Sequence, residues 1–159
     1  MQVEFEVMIT HSQIAVCCEA NPILNDWTDE HAAQGFSWRE GCVVFGMLDH
    51  DGISIVDVSD TRPQLVSAEA ERAIVVPFEV VHGWIQISTI FSDFTVKIAN
   101  GKYALLCEFR PRVPGDNPMS CGYRILFTFK GEDNAEFRIL KKGGEMTTDT
   151  VLTTKADAA

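Results

Sequence analysis

The sequence predicts a mainly β chain: an antiparallel β-sandwich, or barrel-like sandwich, with one short helix near residues 26–34. Three observations lead there. Apolar residues recur with period two, the period of a strand with one buried face. Turn-forming residues separate those runs at short intervals. One segment alone carries helix-start and helix-stop signals. With 159 residues and 46% hydrophobic content, the chain hides roughly 69% of its extended-chain surface on folding. That is enough for a core without staples, and it excludes wholesale disorder.

The strands follow in order. Val3-Phe5-Val7-Ile9 alternates with Glu4-Glu6-Met8. Val43-Val44-Phe45 and Ala73 to Pro77 are short, continuously apolar runs. Ile53-Ile55-Val56-Val58 alternates less cleanly with Ser54, Asp57 and Ser59. Trp84 to Ser88, Phe94 to Ile98, Ile125-Phe127-Phe129 and Phe137-Ile139 repeat the theme. The punctuation fits hairpins at His50-Asp51-Gly52, at His82-Gly83 and at Asn100-Gly101, because Asn-Gly tolerates the positive φ of a tight hairpin turn. Gly131 to Asn134 makes a further connection, and Pro111 to Gly122 reads as a loop.

The helix lies in Asn25 to Gly35. Asp26 or Thr28 caps its first amides, Asp29 and Glu30 suit its positive end, and Gly35 ends it in the left-handed conformation. Residues 1–142 form a single domain on this reading. Residues 143–159 form a small, polar, Thr-rich tail whose composition permits disorder.

Charge sorts the function classes. The chain carries 13 basic and 23 acidic residues, a formal net charge of −10. Residues 1–80 hold 14 acids against three bases. Such a chain is repelled by phosphate backbones, which argues against direct nucleic-acid binding. It is attracted instead to a basic protein or to cations. No apolar run approaches a membrane span, and the N-terminus has no signal-peptide pattern, so the expected location is cytoplasmic. The oligomeric state stays open, a homo-oligomer included.

Five cysteines, an odd number, argue against a disulfide framework. Cys17-Cys18, Cys42, Cys107 and Cys121 read as small core residues. With no Cys-x-x-Cys, His-x-His or His-Glu-x-x-His spacing, local metal motifs are absent. His31 beside Asp29-Glu30 resembles a base with its carboxylate, but a solvated face of a short helix is the plainer reading. Asp49-His50-Asp51-Gly52 resembles half a calcium loop. The EF-hand spacing fails at positions five and twelve, Ile53 and Asp60. A sandwich-loop calcium site built from Asp49, Asp51, Asp57 and Asp60 remains the alternative, as part of a calcium- or ligand-binding module. No nucleophile elbow or phosphate loop is present, so no cofactor and no enzymatic activity are expected.

Asp26-Trp27-Thr28-Asp29-Glu30, then Gly35-Phe36 and Gly41-Cys42-Val43-Val44-Phe45, begin a familiar series. Val76-Pro77-Phe78 with Val80, Gly83, Ser88 and Ser92, then Gly101-Lys102-Tyr103-Ala104-Leu105, continue it. In this order the segments resemble the competence protein J family, over roughly residues 5–110. The resemblance implies a small non-enzymatic protein that binds and silences a metal-dependent DNA-degrading nuclease, in DNA uptake or in immunity against a toxin nuclease. The cysteines and the stretch from Gly131 onward depart from the family pattern.

Resemblance and charge point the same way. A DNA-degrading enzyme offers a cationic groove, and an anionic surface associates with it quickly and blocks it. The residues expected to make that contact are Asp26, Asp29, Glu30 and Glu40, with Trp38 as an aromatic anchor and Asp49 and Asp51 beyond.

Overall fold

The computed structural model describes residues 1–9, 13–20, 24–47, 52–90, 92–111 and 123–159. In chain order the elements are β1 (Gln2–Ile9), β2 (Gln13–Cys17), α1 (Asp29–Gln34), β3 (Phe36–Arg39), β4 (Cys42–Gly46) and β5 (Gly52–Ser59). Then come β6 (Arg72–Val80), β7 (Trp84–Ser88), β8 (Asp93–Lys97), β9 (Gly101–Pro111), β10 (Tyr123–Gly131) and β11 (Arg138–Lys141). They form a six-stranded sheet in the order β1-β5-β10-β9-β6-β11 and a five-stranded sheet in the order β3-β4-β2-β7-β8. Neither sheet closes into a barrel. Every pairing is antiparallel except β5 with β10, which is parallel. No helix among the described residues is long and apolar enough to cross a membrane.

The inward faces of both sheets meet in one core. Ile14, Phe36 and Phe45 come from the smaller sheet, and Val56, Ile74, Leu105 and Phe127 from the larger. Phe45 and Phe127 meet across the sheets at 5.9 Å between ring centroids. At one edge Phe5 of β1 stacks on Phe94 of β8 at 4.3 Å. At the other, β3 lies over β6 and β11, where Phe36 stacks on Phe137 at 6.0 Å. Truncating Phe45 or Phe127 to Ala would cost about 3–5 kcal/mol, as full burial of a large ring implies.

The outward faces are partly covered too, which explains the apolar runs that do not alternate. On the smaller sheet, Ala15, Cys17, Cys42 and Val44 lie beneath Leu24 and Trp27. On the larger, Ala73, Val75, Ala104 and Leu106 lie beneath Val66 and Ala135. Strands buried on both faces read as continuous apolar segments.

Three sequence expectations are corrected. His82-Gly83 and Asn100-Gly101 are not hairpin turns: each carries the chain from one sheet to the other, β6 to β7 and β8 to β9. The two corners are locked together, with the Gly83 N–H donating to Asn100 Oδ1 and the Ile98 N–H donating to the Gly83 carbonyl at 3.1 Å. Gly52 likewise opens β5 in the opposite sheet from β4. The cysteines are not all core thiols: Cys17 and Cys42 sit directly opposite each other on β2 and β4, Cα to Cα 4.1 Å, and form a disulfide. An odd count does not exclude a single bridge, and among the described residues Cys18 and Cys107 are free thiols. Cys121 and the loop from residue 112 to 122 lie outside the described residues.

Candidate functional site

The site begins with a proline in a strand. Pro77 has no N–H, so β6 cannot pair fully on both sides there. β9 runs beside all of β6, but β11 reaches only as far as Val75. The stretch from Pro77 onward therefore has an open edge, and side chains fill it. Trp38 Nε1–H donates to the Pro77 carbonyl at 2.8 Å, and the Cys18 thiol donates to the Glu79 carbonyl at 3.0 Å. Burial pushes the Cys18 thiol up to about 11, so it stays protonated and keeps donating.

Beside this edge lies a half-open cavity of about 310 Å³. Cys18, Trp38, Pro77, Phe78 and Tyr103 form its apolar wall. Trp38 is fixed a second time by an edge-on contact with Phe137 at 5.2 Å. The Tyr103 hydroxyl donates to the Ala99 carbonyl at 2.7 Å, and partial burial raises its phenol above the ordinary value. Around the mouth stand Glu40, Glu79, Glu132 and Asp133, all exposed, with one cation, Lys102. Glu79 and Lys102 are cross-strand partners. Among the described residues, none of these five charged side chains makes a hydrogen bond or ion pair.

The expected contact residues separate into two groups. Trp38 and Glu40 belong to this cavity. Asp26 and Glu30 border a different hollow, of about 170 Å³, shared with Thr153, Lys155 and Asp157. Asp26 is committed there: its Oδ1 accepts from the Asp157 N–H at 3.0 Å, and its N–H donates to the Asp157 carbonyl at 2.9 Å. Asp29 and Glu30 are exposed in the first turn of α1. Asp49 and Asp51 lie outside the described residues. Glu79, Glu132 and Asp133 escaped the sequence reading, because Glu79 is one polar position in a strand and Glu132-Asp133 read as a turn. The Pro77 break was their available signal.

His31 is not on a solvated face. It is 2% exposed and structural. Thr28 caps α1, and His31 completes a capping box in the place usually held by Glu or Gln. Its Nδ1 accepts from the Thr28 N–H at 3.0 Å, which leaves Nε2–H to donate to the Lys155 carbonyl at 2.8 Å. Gln34 continues the clasp, accepting from the Leu152 and Thr153 N–H groups at 2.9 and 3.0 Å. Residues 143–159 thus run irregularly but bonded along α1, with Met146 buried against Gly35. Both His31 nitrogens are engaged, which removes it as a general base.

Other buried charges are likewise taken. Asp57, expected in the alternative calcium site, is 2% exposed and holds Arg62 at 2.9 Å and Arg124 at 3.0 Å. Asp60 binds the N-terminal ammonium at 3.1 Å. Two of the four calcium candidates are therefore already paired to cations, a correction to that set. Glu108 pairs with Arg110 at 2.9 Å and accepts from the Ser67 N–H. Arg72, 2% exposed, lies over the Phe109 ring at 5.5 Å and donates to the Gly46 and Gly143 carbonyls. Burial lowers its affinity for the proton. Among the described residues no group of three or more His, Cys, Asp or Glu is placed to hold a metal ion.

Fold and site together define a class: a small acidic two-sheet β-sandwich with an apolar, carboxylate-rimmed cavity at the open edge of one strand. The family model of competence protein J, ComJ, matches residues 6–130, and the chain belongs to that family. Its fold is also that of the crystal structure of ComJ, inhibitor of the DNA degrading activity of NucA, from Bacillus subtilis. The two share 21% identity, with a TM-score of 0.65 over 82% of this chain and 96% of that one. A second solved structure, crocagin biosynthetic gene J, aligns at 12% identity and a TM-score of 0.48, over 83% of this chain and 97% of that one. No curated protein matches the chain.

Proposed function

We propose that the chain is a non-enzymatic inhibitor that binds a basic, metal-dependent DNA-degrading nuclease and occludes its cationic DNA groove with an acidic surface. Membership of the ComJ family carries the reading, since a relative of the same fold is described as an inhibitor of a DNA-degrading activity. A net charge of −10 and a rim of carboxylates that are unpaired among the described residues support it. Complementary charge speeds encounter with a basic partner, while the apolar wall supplies contact area once water is expelled. Asp29, Glu30 and Glu40 act in steering and Trp38 as the anchor. The setting is the cytoplasm, either during DNA uptake or as protection against a toxin nuclease.

The test is digestion of plasmid DNA by the NucA-type nuclease of the same organism, with increasing amounts of the chain. Saturable inhibition near equimolar ratio that weakens as salt rises is expected. Undiminished cleavage with micromolar chain, and no complex on a sizing column at low salt, would sink the proposal. Calcium is expected to leave the melting temperature unchanged at millimolar concentration; a rise would favour the calcium-binding alternative, because a ligand specific to the folded state stabilises it.

A further inference from the structure

We infer that the cavity beside β6 is a socket for one arginine side chain presented by the partner protein. The inference rests on the proposed inhibitor role only for the source of that arginine. Four features of the cavity select this occupant.

The first is size. At about 310 Å³ the cavity lies at the small end of ligand sites, roughly 300–1,000 Å³, which suits a single long side chain. The second is the wall. Trp38, Phe78 and Pro77 offer apolar surface, and the strand carbonyls that would otherwise face inward, those of Pro77 and Glu79, already accept from Trp38 and Cys18. The wall therefore offers apolar and aromatic contact and leaves hydrogen bonding to the carboxylates around it. The third is the mouth. Glu40, Glu79, Glu132 and Asp133 supply acceptors with no donor of their own among the described residues. Mutual repulsion among them is relieved when a cation enters.

The fourth concerns which cation. The described residues hold no metal cluster, and the apolar wall disfavours a strongly hydrated ion. A lysine ammonium is compact and heavily hydrated. A guanidinium is planar, weakly hydrated, able to stack on an indole and to present several N–H groups to carboxylates at once. Long cationic side chains lay their stems on apolar surface while the head reaches polar groups. Here apolar and anionic side chains line the same half-open cavity, so a guanidinium lying on Trp38 can turn its edge N–H groups to the carboxylates while its stem covers the remaining apolar surface. Lys102, facing Glu79 across the β6–β9 ladder, is the competing cation and lowers the affinity of the empty socket.

Two measurements, read together, decide it. The first is nitrogen–proton NMR of the three tryptophan indoles, Trp27, Trp38 and Trp84, titrated with N-acetyl-arginine amide. Trp38→Phe identifies the Trp38 signal, which reports on the wall through its bond to Pro77. Saturable movement of that signal alone is expected. N-acetyl-lysine amide should bind more weakly and the neutral N-acetyl-citrulline amide weaker still. In Glu79→Gln/Glu132→Gln/Asp133→Asn, whose altered side chains bond nothing among the described residues, affinity should fall at least about tenfold. The second is inhibition of the nuclease by the same variant, expected to need at least about tenfold more protein. No movement of Trp38, or equal movement with citrulline or lysine, overturns the socket. So does an unaltered titration in the triple variant. If wild type fails to inhibit the nuclease while arginine amide still moves Trp38, the inhibitor role falls and the socket stands. If wild type and triple variant inhibit equally, the inhibitor role stands and the socket falls.

Discussion

On the α1 face, Asp26 clasps Asp157, His31 caps the helix and holds the Lys155 carbonyl, and Gln34 binds the backbone at Leu152 and Thr153. At the cavity mouth, Glu40, Glu79, Glu132 and Asp133 stand unbonded among the described residues around a wall of Trp38, Pro77 and Phe78. Both regions are acidic in sequence. One uses much of its polar capacity to attach residues 143–159, and the other leaves its carboxylates unbonded among the described residues. Net charge therefore does not tell the two regions apart; the hydrogen-bond inventory does. The α1 clasp also lies beyond the family-matched span at one of its ends, since residues 143–159 follow residue 130.

The sharpest way to break this comparison is charge reversal on each side. Glu79→Lys/Glu132→Lys should weaken association with the nuclease roughly a hundredfold, because like charges placed across an interface cost several kcal/mol. Asp29→Lys/Glu30→Lys should slow association only about threefold, an effect that fades with salt. Stopped-flow kinetics at two salt concentrations separates the two. A larger loss in the α1 variant would move the contact surface to the helix.

Stability tests the other half. Cys17 and Cys42 are 25 residues apart, so replacing both with Ala should cost about 3 kcal/mol in urea unfolding. Gly35 ends α1 at φ +84° and touches Met146, where an added Cβ would come within 2.8 Å of the sulfur. Gly35→Ala should cost at least about 1 kcal/mol from the left-handed backbone alone, while leaving nuclease inhibition in place at low temperature. A loss of inhibition as severe as that of the cavity variant would show the two regions to be coupled.

The pH response has a worked sign. Burial raises Cys18 from 9.0 to about 11 and Cys107 well above its ordinary value. The folded chain thus favours the neutral thiols. Their contribution is complete below pH 9 and is lost as pH climbs through the folded values. Unfolding free energy should fall between pH 9 and 11, and less steeply in Cys18→Ala. The smallest expected effect is at Lys102. Lys102→Met should tighten binding about two- to threefold by removing the competing cation, read by the same kinetics.

Much of the fold was legible because its signals are local. Period-two runs marked β1, β7, β8 and β10, and Thr28 with Gly35 bounded the helix. What was missed depends on which sheet a strand joins. Asn100-Gly101 has hairpin chemistry, yet it turns between sheets, a choice made by the core and by the Gly83–Asn100 lock. The Cys17–Cys42 bridge needed the β2–β4 register. In the candidate site, Trp38 and Glu40 were read from the sequence. Glu79 and Glu132-Asp133 come from strands and turns more than fifty residues apart; β9 brings them together, since Lys102 pairs with Glu79 and its carbonyl accepts from the Glu132 N–H, and the stacking of β3 over β6 adds Trp38.

The most direct measurement is the affinity of wild type, the cavity triple variant and Asp29→Asn/Glu30→Gln for the nuclease, side by side at one salt concentration. The expected result is a loss of at least about tenfold in the cavity variant and near-wild-type affinity in the helix variant. Equal affinity for all three, or a loss confined to the helix variant, would contradict the assignment of the cavity as the contact site.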